Sequence, residues 1–168
     1  MHPKHDVDAL IVKMADELTA TVQSLPLDDV LMIGIHTGGV WVAERLHQLL
    51  NLPLPLGTLD ISFYRDDFSR IGMNPQVKPS ALPVAVDGKH IILVDDILHT
   101  GRTIRAAMNE IFDYGRPASI RLAVLGERRG RELPIQPDVV GAHLSLESHE
   151  HAKLLGPDRL SWSVVRTP

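Results

Sequence analysis

Apolar residues recur at helical spacing near the amino end, at Leu10, Ile11, Met14, Leu18 and Val22, and predict an amphipathic helix over 8–22 capped by Asp6 or Asp8. Its outer face carries Asp16 and Glu17 against Lys13 and is mildly acidic. Pro26 and Asp28-Asp29 break the period, and 30–35 then reads as a buried strand. A second helical set, Val40, Ala43, Leu46, Leu49 and Leu50, predicts a helix over 40–50. Residues 59–64 alternate, with Leu59, Ile61 and Phe63 on one face and Asp60, Ser62 and Tyr64 on the other, as in a half-buried strand. From Tyr64 to about Asp87 no period is sustained, and Gly72, Asn74-Pro75, Pro79 and Pro83 punctuate the stretch. Structureless segments of that length are uncommon and usually functional, so this one is expected to be a hinged lid.

The unbroken aliphatic run Ile91-Ile92-Leu93-Val94 suits a strand buried on both faces of a parallel sheet, and so an α/β chain. Ile104, Ala107, Met108, Ile111 and Phe112 then mark a helix to Tyr114, stopped by Gly115 and Pro117. Residues 120–125 and 139–146 read as further strands, and the basic stretch 126–135 between them as an irregular overhang. The tail 147–168 has no readable period.

The chemistry gathers where the aliphatic run meets Asp95-Asp96-Ile97-Leu98-His99-Thr100-Gly101-Arg102-Thr103. The two acids are expected at the carboxyl end of the strand, where open α/β sheets bind ligands. Vicinal hydroxyls such as those of a ribose would donate to them. Gly101 lets the backbone come close to an anion, and a helix opening at Thr103, with the Thr100 and Thr103 hydroxyls beside it, makes a phosphate cradle. Diol and phosphate together point to a ribose 5-phosphate. No Walker-type G-x-x-x-x-G-K-[ST] is present. Thr37-Gly38-Gly39, between the first strand and its helix, is a second candidate phosphate seat, although paired glycines serve a tight turn equally well. Trp41 reads as a packing residue. His99 either brings its imidazole to the reacting groups or turns it to solvent while its backbone N–H serves phosphate.

Composition narrows the class further. A chain of 168 residues fits one domain with a proper core, expected to span 1–168, and the absence of cysteine excludes disulfides and thiolate metal sites. No apolar run approaches the ~20 residues of a membrane span, and a soluble, cytoplasmic protein is expected. A formal charge of −4 argues against broad nucleic-acid binding. His149-Glu150-His151 has the wrong spacing for a helical zinc site, and no metal is expected there.

The run 91–103 resembles the signature of the type I phosphoribosyltransferases, which use 5-phosphoribosyl diphosphate (PRPP). Tyr64-Arg65-Asp66-Asp67, Gly115-Arg116-Pro117-Ala118 and Arg131-Glu132-Leu133-Pro134-Ile135 are similar to one branch, the bifunctional pyrimidine-operon regulators with uracil phosphoribosyltransferase activity. The likeness covers roughly 5–145. It implies a type I phosphoribosyltransferase fold, a central parallel sheet flanked by helices, with a lid over about 64–87 and a small hood formed by about 126–138 and the tail. It implies conversion of uracil and PRPP to UMP and diphosphate, with Mg²⁺ held mainly through PRPP and diphosphate, in a homodimer or larger homo-oligomer. Asp95 and Asp96 would hold the ribose hydroxyls, His99, Thr100, Gly101, Arg102 and Thr103 the 5-phosphate, and Thr37, Gly38 and Gly39 the diphosphate. Arg65 would neutralise the diphosphate from the lid, and Arg131, Glu132, Leu133, Pro134 and Ile135 would wall the uracil pocket. Some members also bind a leader-RNA stem-loop with UMP, but the acidic first helix predicts that this is weak or lost here. Where the family's hood often reads Asp-Arg-Gly-His, this chain has Glu127-Arg128-Arg129-Gly130 and lacks the histidine.

Overall fold

The computed structural model describes residues 6–61 and 80–168. Five parallel strands form one sheet in the order β2-β1-β3-β4-β5, with β1 Val30–Ile35, β2 Gly57–Leu59, β3 His90–Leu98, β4 Ser119–Arg128 and β5 Val139–Leu144. Helices α1 (Val7–Gln23), α2 (Gly38–Leu50) and α3 (Arg102–Tyr114) cover it. Alternation along the central strands explains why both faces are apolar. Met32, Ile92 and Val94 pack with α1 and α2 residues such as Met14, Leu18, Val42 and Leu46. Leu31, Ile33, Ile91 and Leu93 pack on the other face with Ile104, Ala107 and Ile111 of α3. Truncating a fully buried aliphatic such as Ile33 would cost about 2–5 kcal/mol.

The first helix is capped by Asp6, whose Oδ1 accepts from Asp8 N at 3.0 Å. On α2 and α3 the predicted faces are slightly misplaced. Leu49 and Phe112 are more than half exposed, and Val42 is fully buried in their stead. Each of these two helices also starts two residues before its periodic set. The alternating segment 59–64 forms a strand only over Gly57–Leu59, and 62–64 lie outside the described residues.

Two strands outrun their predicted ends, and both extensions shape the crevice. The strand β3 does not stop at Val94 but runs through both acids to Leu98, because β4 continues to pair with it from Asp95↔Val124 to Leu98↔Glu127. Likewise 126–128, expected in the irregular overhang, belong to β4, held by the pairs Glu127↔His143 and Arg128↔Leu144. The irregular stretch therefore begins after Arg128. The tail, unreadable by period, is an antiparallel hairpin of β6 (Glu150–Leu155) and β7 (Ser161–Arg166). Its Leu154 and Leu160 are buried with the α1–α2 core.

Of the expected lid, 64–79 lie outside the described residues, Arg65 among them. Residues 80–87 are tied down. Ala81 bridges Thr58, Ser80 donates to Glu110 Oε1 at 2.6 Å, and Asp87 Oδ1 accepts from Arg116 N at 2.8 Å.

Candidate functional site

A crevice opens where β1 and β3 part. Their pairing ends at Gly34↔Val94, after which β1 turns off into 36–39 and β3 continues along β4. Strand order changes direction at this point, since β2 lies on one side of β1 while β4 and β5 lie beyond β3, and ligands of open α/β sheets bind at such a switch.

The first wall is the turn into α2. The His36–Thr37 peptide bond is cis, and Thr37 is the exposed N-cap residue with no side-chain cap bond. Gly38 and Gly39 are both buried against the acid-bearing strand. A β-carbon on Gly38 would fall 2.3 Å from Asp96 Oδ2, and one on Gly39 would fall 2.8 Å from Val94 O and 3.0 Å from Asp95 Cα. The glycines are thus required by close approach, which the sequence could not distinguish from a tight turn. The approach puts the amino end of α2, where Gly38 and Gly39 open the helix, beside the Asp96 carboxylate.

The floor is Asp95-Asp96. Asp95 is 5 % exposed, and its Oδ1 accepts from Asp96 N at 2.8 Å. Asp96 is partly exposed, with Oδ1 accepting from Ile97 N at 2.7 Å. The two neighbours therefore differ in reach: Asp96 presents oxygen to the crevice, and Asp95 sits beneath.

The second wall is the turn into α3. Gly101 has φ +94, a left-handed conformation suited to glycine, and it caps α3 so that the helix opens at Arg102. Thr100 Oγ1 accepts from Arg102 N at 3.1 Å, and the Arg102 side chain pairs with Glu132 Oε1 at 2.7 Å. The segment 131–135 leans on this turn through its backbone. Thr100 O accepts from Glu132 N at 2.9 Å and from Leu133 N at 3.2 Å. Leu133 and Ile135 lie 3.4 Å from where a Gly101 β-carbon would be.

Two side chains depart from their expected settings. The His99 imidazole is partly buried. It packs on Gly130, whose missing side chain makes room for it. Burial, then the charge of Arg128, then His151, lower its pKa from the ordinary 6.5, with Glu132 opposing. The Arg131 guanidinium, expected as pocket wall, is engaged with its own chain: Nε donates to Ile135 O at 2.9 Å, Nη1 to His99 O at 2.6 Å, and Nη2 to Glu127 Oε1. Trp41 packs partly buried against the α1–α2 core, beside Gly156.

Near the tail, Glu150 is buried, accepts from Glu147 N at 3.0 Å and lies 3.5 Å from Arg166 Nε. Arg128 donates to Glu150 O at 2.6 Å. Glu150 is thus a structural anchor of the hairpin. Among the described residues no helix is long and apolar enough to cross a membrane.

Comparison with known proteins agrees with this geometry. The phosphoribosyl transferase domain model matches residues 5–153. The chain is 62 % identical over 161 residues to the bifunctional protein PyrR of Nitrosococcus oceani, covering 95 % of this chain and 91 % of that one. It is 57 % identical over 152 residues to the protein of the same name from Pseudomonas paraeruginosa, covering 90 % and 89 %. Among solved structures, the purine phosphoribosyltransferase of Pyrococcus horikoshii superposes with a TM-score of 0.61 at 27 % identity, covering 82 % of each chain.

Proposed function

The chain belongs to the PyrR family of type I phosphoribosyltransferases, and from that premise we propose that it is a uracil phosphoribosyltransferase, converting uracil and PRPP to UMP and diphosphate. The observation that carries the reading is the meeting of three seats at the end of β3: the Gly38-Gly39 turn touches Asp96, and the hood segment hydrogen-bonds Thr100.

In this reading Asp96, with Asp95 beneath it, accepts hydrogen bonds from the ribose hydroxyls. The turn 99–103 and the amino end of α3 take the 5-phosphate, where N–H groups and the helix dipole favour an anion. Thr37, Gly38 and Gly39 take the diphosphate, and Arg65, outside the described residues, adds a cation to that leaving group. Residues 132–135 wall the base. Uracil N1 bonds to C1′ of the ribose as the bond from C1′ to the diphosphate oxygen breaks, and the N1 proton passes to solvent. The chain's contribution is orientation and stabilisation of the departing charge.

Among the described residues Asp95 and Asp96 bring oxygen donors to the crevice, and their backbone hydrogen bonds leave Asp96 Oδ2 facing Gly38. Such a sparse, all-oxygen set fits a Mg²⁺ that keeps most of its ligands from substrate and water. When bound, the ion would neutralise diphosphate charge. A homodimer or larger homo-oligomer is part of the same proposal and rests on family likeness alone. The test is formation of UMP and diphosphate from uracil, PRPP and Mg²⁺ by the purified protein. Absence of UMP under conditions where PRPP binds would overturn the assignment.

A further inference from the structure

One guanidinium on the hood reaches several carbonyls around the phosphate turn at once. Arg131 Nε donates to Ile135 O at 2.9 Å, Nη1 to His99 O at 2.6 Å and to Arg128 O at 3.3 Å, and Nη2 to Glu127 Oε1. A guanidinium has five N–H donors in a fixed plane, so these bonds leave little of it to offer a ligand. The group is half-buried, 21 % exposed, and its carboxylate partner is 15 % exposed. Glu127 is oriented in turn from its other oxygen, Oε2, which lies 3.2 Å from His143 Nδ1 on the neighbouring strand. The acceptors come from three places: the end of β3, the end of β4 and the far side of the hood loop.

The result is that two consecutive carbonyls of the turn, His99 O and Thr100 O, are both held from the hood, the first by Arg131 and the second by Glu132 N and Leu133 N. With its carbonyls fixed on one side, the turn presents its N–H groups on the other. We propose that Arg131 is a positioning residue of the phosphate cradle: it pins the His99 carbonyl to the hood and thereby fixes the Thr100-Gly101 turn that the phosphate of PRPP meets. This rests on the assignment of 99–103 to the 5-phosphate. It separates Arg131 from the base wall, leaving Leu133, Pro134, Ile135 and the hood backbone to face the base. A lysine would keep the charge beside Glu127 but cannot bridge His99 O, Ile135 O and Glu127 at once.

The experiment is calorimetric titration of Mg²⁺-PRPP into the wild type, Arg131→Lys and Arg131→Ala, with KM for PRPP and for uracil measured separately. Both variants should bind PRPP about tenfold or more weakly, with the KM for uracil little changed, and added guanidinium ion should partly restore PRPP affinity to the alanine variant. If the alanine variant does not fold, the lysine variant decides. Wild-type PRPP affinity in a folded variant would overturn the proposal, as would a rise in the uracil KM with that for PRPP unmoved, which would make Arg131 a base contact. A wild type that binds PRPP without forming UMP would sink the uracil assignment alone and leave the PRPP affinities to decide the role of Arg131. A wild type that does not bind PRPP would sink both.

Discussion

The His99 imidazole fills the space beside Gly130: a β-carbon on that glycine would fall 2.7 Å from Nε2 and 3.1 Å from Cδ2. Gly130 also has φ +118, where a side chain is strained. The turn after β3 and the loop after β4 therefore meet through a ring supplied by the first and a gap supplied by the second.

That contact gives the fold a pH dependence. The folded pKa of His99 is lowered, chiefly by burial and next by Arg128. Between that lowered value and the ordinary 6.5 the unfolded chain binds the proton more readily, so His99 contributes stability above about pH 6.5 that is lost as pH falls through this window. Chemical denaturation of the wild type and His99→Gln across pH 5–8 should give curves that converge toward acid. Parallel curves would mean that the ring is not desolvated.

The paired glycines should respond differently to alanine. At Gly39 the new β-carbon meets backbone, Val94 O and Asp95 Cα, and is expected to destabilise the protein by about 1–3 kcal/mol. At Gly38 it meets the Asp96 carboxylate, which can turn aside. Gly38→Ala should therefore lose activity out of proportion to stability. Melting temperatures and turnover measured together check this, and equal loss of stability at both positions would contradict it.

Asp96→Asn keeps size and removes charge at the partly exposed acid. If Asp96 holds the ribose as proposed, turnover should fall by about a hundredfold or more, with the melting temperature little moved, because only a carboxylate can accept at both oxygens. Retention of near-wild-type rates would remove Asp96 from the site.

Leader-RNA binding is expected to be weak. Affinity for RNA needs several cations on one connected face. The lysine of α1, Lys13, lies 3.2 Å from Gly141 O and 4.0 Å from Glu17. Of the arginines clustered after α3, Arg121 bonds Ser119 Oγ, Arg128 bonds Glu150 O and Arg131 bonds His99 O, which leaves Arg116 and Arg129 as the exposed members. Binding of a pyrimidine-leader stem-loop against a scrambled hairpin, with and without UMP at near-physiological salt, should reveal no tight selective complex. A nanomolar, UMP-enhanced, sequence-selective complex would restore a regulatory role.

What was legible in the sequence follows from the physics of each part. The strand β1 was readable to the residue because an uninterrupted apolar run between Asp29 and His36 has no other use. The run 91–103 was readable as chemistry because its acids, glycine and threonines act together. Strand ends were not readable, since Asp95, Asp96, Glu127 and Arg128 are kept in strands by partners on β4 and β5 that no local period reveals. The tail hairpin pairs Lys153 with Ser163 and Glu150 with Arg166, polar matches visible only across strands. The inward turn of Arg131 was hidden for a related reason: its partners are mostly carbonyls, which every residue has.

Base choice tests the central claim most directly, because the phosphate and ribose seats would serve any type I phosphoribosyltransferase. The measurement is kcat/KM for uracil, cytosine, hypoxanthine, guanine and adenine with saturating PRPP and Mg²⁺. The account predicts that uracil is preferred over every other base by at least about a hundredfold. Preference for a purine, or equal use of several bases, would contradict it.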